Sequence, residues 1–206
     1  MAELPPKQLL VEGPEDKYVF EQVMRYHGMP DDAFKVMVKQ GVDQLLGSLK
    51  VLVLDLVDRV GVVIDADEHL NRRWQQVHGI LTRSGYTSVP RRPDLAGTII
   101  EEVDKPTVGV WIMPNNALPG KLEDFVRFLV PTGDALWAQA EGCVDTLPDV
   151  PTRFRFKDRS KAVVHTWLAW QREPGTSMGT AITKRYLNMA APEAEKLTGW
   201  LHRLFD

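Results

Sequence analysis

The chain contains one cysteine, Cys143. No internal disulfide can form and no zinc-ligand spacing of cysteines exists, so a reducing, cytoplasmic interior is the expected setting. Positive charge is not in excess either. Lys and Arg number 25 against 28 Asp and Glu, the net charge is −3 and the pI is near 6.0. Coating nucleic acid without specificity needs clustered cations, so the overall charge argues against that role and leaves only a local basic patch. Long apolar runs are missing as well. The most apolar stretch, residues 51–64, is interrupted by Asp55, Asp58 and Arg59, which makes it too short and too charged to span a membrane. The opening thirteen residues lack a basic region followed by an apolar one, so no signal peptide is expected. There is no Gly-x-x-x-x-Gly-Lys-Ser/Thr loop, no internal repeat and no low-complexity tract.

What is present is enough apolar material for a core: 44% of 206 residues, which suits one domain, or one domain with an appendage. Leu9, Leu10 and Val11 lead into Glu12-Gly13 and predict a first buried strand. Pro14 then opens a helix with a stripe of Val19, Phe20, Val23 and Met24, ended by Gly28. Residues 34–39 alternate as a second strand. Val42, Leu45, Leu46, Leu49, Leu52, Val53 and Leu56 keep helical spacing for about four turns, which favours helix over a strand at 51–54. Residues 60–64 form a clear buried strand ending at Asp65-Ala-Asp67, and Leu70, Trp74, Val77 and Leu81 mark the next helix. Strands over 98–102 and 108–113 are joined by Asp104-Lys105-Pro106, the signature of an antiparallel hairpin. A helix restarts at Leu122, and from Asp134 onward the pattern is helical, broken near Pro148 and Pro151 and at Pro174-Gly175. The expected fold is α/β: a mostly parallel central sheet over residues 1–130, flanked by helices, with residues 131–206 as a helical cover packed on it.

Acids at the ends of buried strands carry the chemical signal, because open α/β sheets bind ligands at the carboxyl ends of their strands. Glu12 ends the first strand and Asp65 a later one, with Asp67 two residues on. Asp16, four residues after Glu12, can share a face with it. Carboxylates brought together repel and are costly to desolvate, and a hard divalent cation, Mg²⁺ or Mn²⁺, relieves that cost. The bland alternative for each is a helix-capping acid. His69, next to Asp67-Glu68, is within reach of such a site, and no pair among the five histidines has ligand spacing. Arg153, Arg155, Lys157, Arg159 and Lys161 alternate with Phe154 and Phe156. As an extended segment this turns bases outward and rings inward, either as a charge-blunted edge strand or as a phosphate-contacting ridge. Thr176 or Ser177 is expected to cap a helix rather than cradle a phosphate, and Trp167 and Trp170 are expected in the core.

The pairing of Leu9-Leu10-Val11-Glu12-Gly13 with Val63-Ile64-Asp65-Ala66-Asp67 resembles the Toprim domain of topoisomerases, bacterial primases and OLD-type nucleases. The resemblance implies a Rossmann-like Toprim fold and Mg²⁺ held by Glu12, Asp65 and Asp67 for phosphodiester chemistry. Glu12-Gly-Pro-Glu-Asp16 is similar to the OLD-type variant, which implies Asp16 as a further metal ligand. Gly120-Lys-Leu-Glu123-Asp124 resembles a later acidic motif of OLD-type and stand-alone Toprim proteins, which implies Glu123, and less directly Asp124, as site residues. The tail from Lys161 through Thr166-Trp-Leu-Ala-Trp170 to Met178-Gly-Thr-Ala181 resembles a small stand-alone Toprim-related family and makes Lys161 the leading basic candidate. The chain lacks an ATPase loop and an evident topoisomerase tyrosine, so a topoisomerase or full primase is not expected.

The expectation is a metal-dependent nuclease or related phosphoryl-transfer protein acting on nucleic acid, DNA or RNA. Glu12, Asp65, Asp67 and Lys161 would serve as catalytic groups, with Asp16 and Glu123 joining the acids at the metal. The alternative is a non-catalytic module that binds Mg²⁺ with a nucleotide or nucleic acid, or that serves a separate partner protein. A homodimer is open. A haloacid-dehalogenase-like phosphatase, suggested by Asp65-Ala66-Asp67-Glu68, is disfavoured because an acidic strand precedes it.

Overall fold

The computed structural model describes residues 5–54, 57–151 and 153–206. Five strands form one sheet in the order β2-β1-β3-β5-β4: β1 (Lys7–Val11), β2 (Lys35–Val38), β3 (Arg59–Asp65), β4 (Thr98–Ile100) and β5 (Thr107–Met113). All neighbours are parallel except β4, which runs antiparallel to β5 as the hairpin signal predicts. The helices α1 (Pro14–Tyr26), α2 (Val42–Leu52), α3 (Leu70–Arg83), α4 (Leu122–Leu129), α5 (Ala135–Asp145), α6 (Arg159–Ala169), α7 (Met178–Thr183) and α8 (Pro192–Phe205) cover both faces. This is a Rossmann-like, mostly parallel α/β arrangement.

Alternation along the strands sorts the core into two layers. Leu9, Val11, Val63, Trp111 and Met113 face α1, α4 and the C-terminal helices, while Leu10, Val62, Ile64, Val110 and Ile112 face α2 and α3. Each fully buried Leu, Val or Phe contributes on the order of 1.5–3 kcal/mol to this burial. α2 ends at Leu52, with Leu45, Leu49 and Leu52 buried on one stripe, so the helical spacing wins over the apolar run at 51–54. Asp55 and Leu56 of that reading, Met1 to Leu4 of the opening segment, and Thr152 lie outside the described residues.

Residues beyond 130 close the α1 face. α8 lies so near the sheet that Gly61 on β3 and its register partner Gly109 on β5 have no room for a side chain. A Cβ on Gly109 would stand 2.3 Å from Leu204. Lys7 and Arg59 donate to the carbonyls of Phe205 and Leu204, satisfying the C-terminal end of α8 with positive charge. Trp200 donates its indole N–H to the Thr98 carbonyl at 3.2 Å. Trp167 is buried as expected, but Trp170, which caps α6, is 38% exposed and is not a core residue. Ser177 caps α7 by accepting the Thr180 N–H at 3.2 Å, which accounts for the turn at Pro174-Gly175 without a ligand. Among the described residues, no helix is long and apolar enough to cross a membrane.

The chain passes from β1 to β2 on one side and then returns to place β3 on the other side of β1. That reversal leaves a crevice at the carboxyl ends of β1 and β3, where Glu12 and Asp65 stand.

Candidate functional site

Glu12 follows the last residue of β1 and accepts the Asp65 N–H through Oε1 at 2.9 Å, which locks the two strand ends together. Burial raises its pKa, against the opposing pull of that N–H and of Arg73. Asp65 closes β3. Neither of its carboxyl oxygens has a hydrogen-bond donor or ion-pair partner among the described residues. Burial first, then Glu12, Asp16, Glu123 and Asp67, holds its proton well above the usual carboxylate range. Asp16, in the first turn of α1, accepts the Gly13 N–H at 3.0 Å and so caps the helix, as the bland reading has it. It is also pushed up to about 7, by burial and then by Glu12. Glu123, in the first turn of α4, is 7% exposed and has Lys161 Nζ at 3.5 Å from Oε1. Asp16, Asp65, Glu123 and Lys161 line one pocket of ≈ 280 Å³, whose rim includes Lys121 and Lys157.

Asp67 stands elsewhere. The strand stops at Asp65, and Asp67 takes a left-handed conformation (φ 52°) and exchanges two backbone hydrogen bonds with Gly120, at 3.0 and 2.8 Å. Gly120 has φ 142°, and a Cβ there would stand 2.8 Å from Asp124 Oδ2, so this partner must be glycine. The Asp67 carboxylate is paired twice, with Arg73 Nη2 at 2.7 Å and with Lys121 Nζ at 3.5 Å. It lines a neighbouring pocket of ≈ 460 Å³ with His69, Arg72, Arg73, Lys121 and Lys157. Arg73 also donates to the Asp65 carbonyl at 2.7 Å. Burial of Lys121 lowers its pKa, but Asp67, Asp158, Asp65 and Glu123 outweigh this and raise it. Lys121 and Lys157 border both pockets and mark the ridge between them.

The remaining candidates separate. Asp124 accepts the Lys121 N–H at 2.8 Å as a capping acid of α4, and burial raises its pKa. His69 caps the start of α3 and lines the Asp67 pocket. The basic run is not extended: a single 3₁₀ turn over Phe156–Asp158 leads directly into α6. The expected alternation therefore fails, because a turn followed by a helix does not keep a period of two. Phe154 packs against the core, but Phe156 points out and is 89% exposed. Arg159 is bound through two hydrogen bonds, both 2.7 Å, to Asp145 and ties α6 to α5. Arg155 holds Asp158 at 3.1 Å. Of the run, Lys157 and Lys161 border the acidic pocket.

Sequence reading gave no role to Arg73, Lys121 or Asp158. One signal was available for Arg73. Arg72 and Arg73 occupy the start of α3, where cations oppose the helix dipole, so a nearby acid is required.

A family model described as Protein of unknown function (DUF3226) matches residues 6–206. The chain belongs to the DUF3226 family. Searches of curated proteins and of solved structures found no match.

For this DUF3226 member, the chemistry of the donor set can be tested against a hard cation. Among the described residues, no group of three or more His, Cys, Asp and Glu side chains is placed to hold an ion. Mg²⁺ does not need such a group, since it keeps several waters and is commonly bound through one or two carboxylates. The pKa values of Asp65 and Asp16 are raised because burial and mutual repulsion disfavour their charge, which is the condition a divalent ion relieves. The acidic pocket fits a hard divalent cation in charge and ligand type. Asp67, already neutralised by two cations, fits less well.

Proposed function

We propose that this chain is a Mg²⁺- or Mn²⁺-dependent phosphodiesterase acting on nucleic acid in the cytoplasm, with a Toprim-like site. The observation that carries this reading is Asp65. It is a half-buried strand-end carboxyl at the sheet's reversal, with no ion pair among the described residues and with Glu12, Asp16 and Glu123 close enough to raise its pKa. The resemblance of the Glu12 and Asp65-Ala66-Asp67 segments to Toprim motifs supports the same assignment.

Asp65, with Asp16 or Glu123 beside it in the pocket, would hold the ion through one or two carboxylates and waters, with Glu12 behind them. A bound ion there supplies a Lewis acid for a phosphate oxygen and lowers the pKa of a bound water. The chain's own residues then divide the work. Glu12 fixes the Asp65 backbone. Lys161, 58% exposed and drawn to the pocket by Glu123, is free to turn toward a phosphate and offset charge that builds up as the ester bond breaks. Asp67 holds Lys121 on the ridge between the pockets and Arg73 in the neighbouring one, where they oppose the repulsion between the acids and a polyanion.

The test combines a thermal shift in millimolar Mg²⁺ or Mn²⁺ with incubation of labelled DNA and RNA, using Asp65→Ala as control. The expected result is stabilisation and cleavage by wild type and neither by the variant. A metal shift without cleavage of any nucleic acid would replace this reading with the non-catalytic binding module. No metal shift at all would remove the site assignment.

A further inference from the structure

The 3₁₀ turn at Phe156–Asp158 has no role in the proposed chemistry, yet it is tied to both pockets. Lys157 borders each of them. Asp158 accepts from Arg155 at 3.1 Å and stands 3.8 Å from Lys121 Nζ, which itself holds Asp67. Phe154 packs into the core on the other side of the turn. The turn is thus anchored at Phe154 and Asp158, and between these anchors it presents Phe156 with 89% of its surface in water. A phenyl ring left in water at an anchored position forgoes the stabilisation that burial would give it. Its chain neighbours are exposed cations: the side chain of Arg155 is 75% exposed, though paired with Asp158, and Lys157 is exposed.

We infer that Phe156 is a stacking platform for an unpaired base, so that the site takes single-stranded nucleic acid or a frayed end in preference to intact duplex. This rests on the nucleic-acid reading above and adds the substrate class. A base has a π-face whatever its identity, and the exposed Arg155 and Lys157 on either side of the ring in the chain are available to the phosphates that flank a stacked base. In a duplex the base faces are covered by their neighbours, and the ring has nothing to stack on. A protein partner with an apolar pocket fits less well, because the cations beside Phe156 favour a polyanion.

The experiment measures affinity of the full chain, in Mg²⁺, for a fluorescent single-stranded oligonucleotide and for the same strand in a blunt duplex. Wild type is expected to bind the single strand more tightly. Phe156→Ala should weaken single-strand binding about tenfold or more, leave duplex binding unchanged, and leave the metal-induced thermal shift intact. Phe156→Trp should restore single-strand binding and show quenching of the new indole. Equal affinity of Phe156→Ala and wild type for the single strand overturns the inference and leaves the ring to a protein partner, while the proposed function stands. Loss of single-strand binding in Phe156→Ala from a wild type that cleaves nothing sustains the inference and removes only the catalytic step. A wild type that shifts with metal but binds neither oligonucleotide at low salt overturns the inference together with the nucleic-acid substrate.

Discussion

Asp65 and Asp67 stand two residues apart at the end of one strand and are opposites in their pairing. Asp65 is half-buried, has no ion pair among the described residues, and has its pKa raised by burial and by the acids around it. Asp67 is about half exposed and charge-paired with both Arg73 and Lys121. Two residues along a strand point the same way only while the strand lasts. Here β3 ends at Asp65, and the left-handed backbone at Asp67 turns its side chain into the neighbouring pocket. An acidic pair in sequence is therefore one member of an acidic cluster in one pocket and half of an ion-pair network in the next.

The widest separation between the two acids is expected in metal affinity. Titration calorimetry with Mn²⁺ should show no binding to Asp65→Asn. Asp67→Asn should lose about 10- to 100-fold in affinity, as for a residue that acts from outside the ligand shell. Equal losses would break the distinction and return Asp67 to the ligand set.

Stability without metal should differ in sign. Asp65→Asn removes a carboxyl that burial and its neighbours disfavour, and denaturant unfolding should find it at least as stable as wild type. Asp67→Ala strips Arg73 and Lys121 of their partner and should cost about 1 kcal/mol, as for a half-exposed ion pair. A destabilised Asp65→Asn would mean that the buried carboxyl has a structural partner.

A further effect is expected in pH dependence. The Asp16 carboxyl stands at about 7 in the folded chain against 3.8 for an ordinary aspartate. Between those values the folded state binds more protons than the unfolded one, so stability should fall as pH rises through this window and level off above it. Thermal melts in chelator should show that slope, and Asp16→Asn should flatten it. Millimolar Mg²⁺ should oppose the fall, because metal binding is favoured as the carboxyls lose their protons.

The smallest change in stability belongs to Lys161→Ala, within about 0–1 kcal/mol, since its pair with Glu123 is largely solvated on the lysine side. It should slow cleavage while leaving Mn²⁺ affinity in place. Loss of metal binding in this variant would move Lys161 from the phosphate side to the support of Glu123.

Much of the fold was legible because it depends on local periodicity. The run at 9–11 and the buried strand at 60–64 read correctly, and the helical stripe from Val42 holds as far as Leu52 but not to Val53, since burial on one or both faces fixes the spacing of apolar residues. The basic run at 153–161 misled, because alternating residue types imitate a strand whatever the backbone does. Phe154 and Phe156 look equivalent in the sequence, yet one packs on the core and the other stands in water.

The sequence alone determined the order of strands and helices and the presence of acids at the ends of β1 and β3, because strand length and helix initiation are set by neighbouring residues. Tertiary structure alone decided which acids share a pocket. Glu12 meets Asp65 only because β1 and β3 are neighbours in the sheet, and Asp67 leaves only because Arg73 of α3 and the Gly120-Lys121 segment converge on it. Such long-range pairings depend on how the elements pack against one another, and no local periodicity in the chain encodes them.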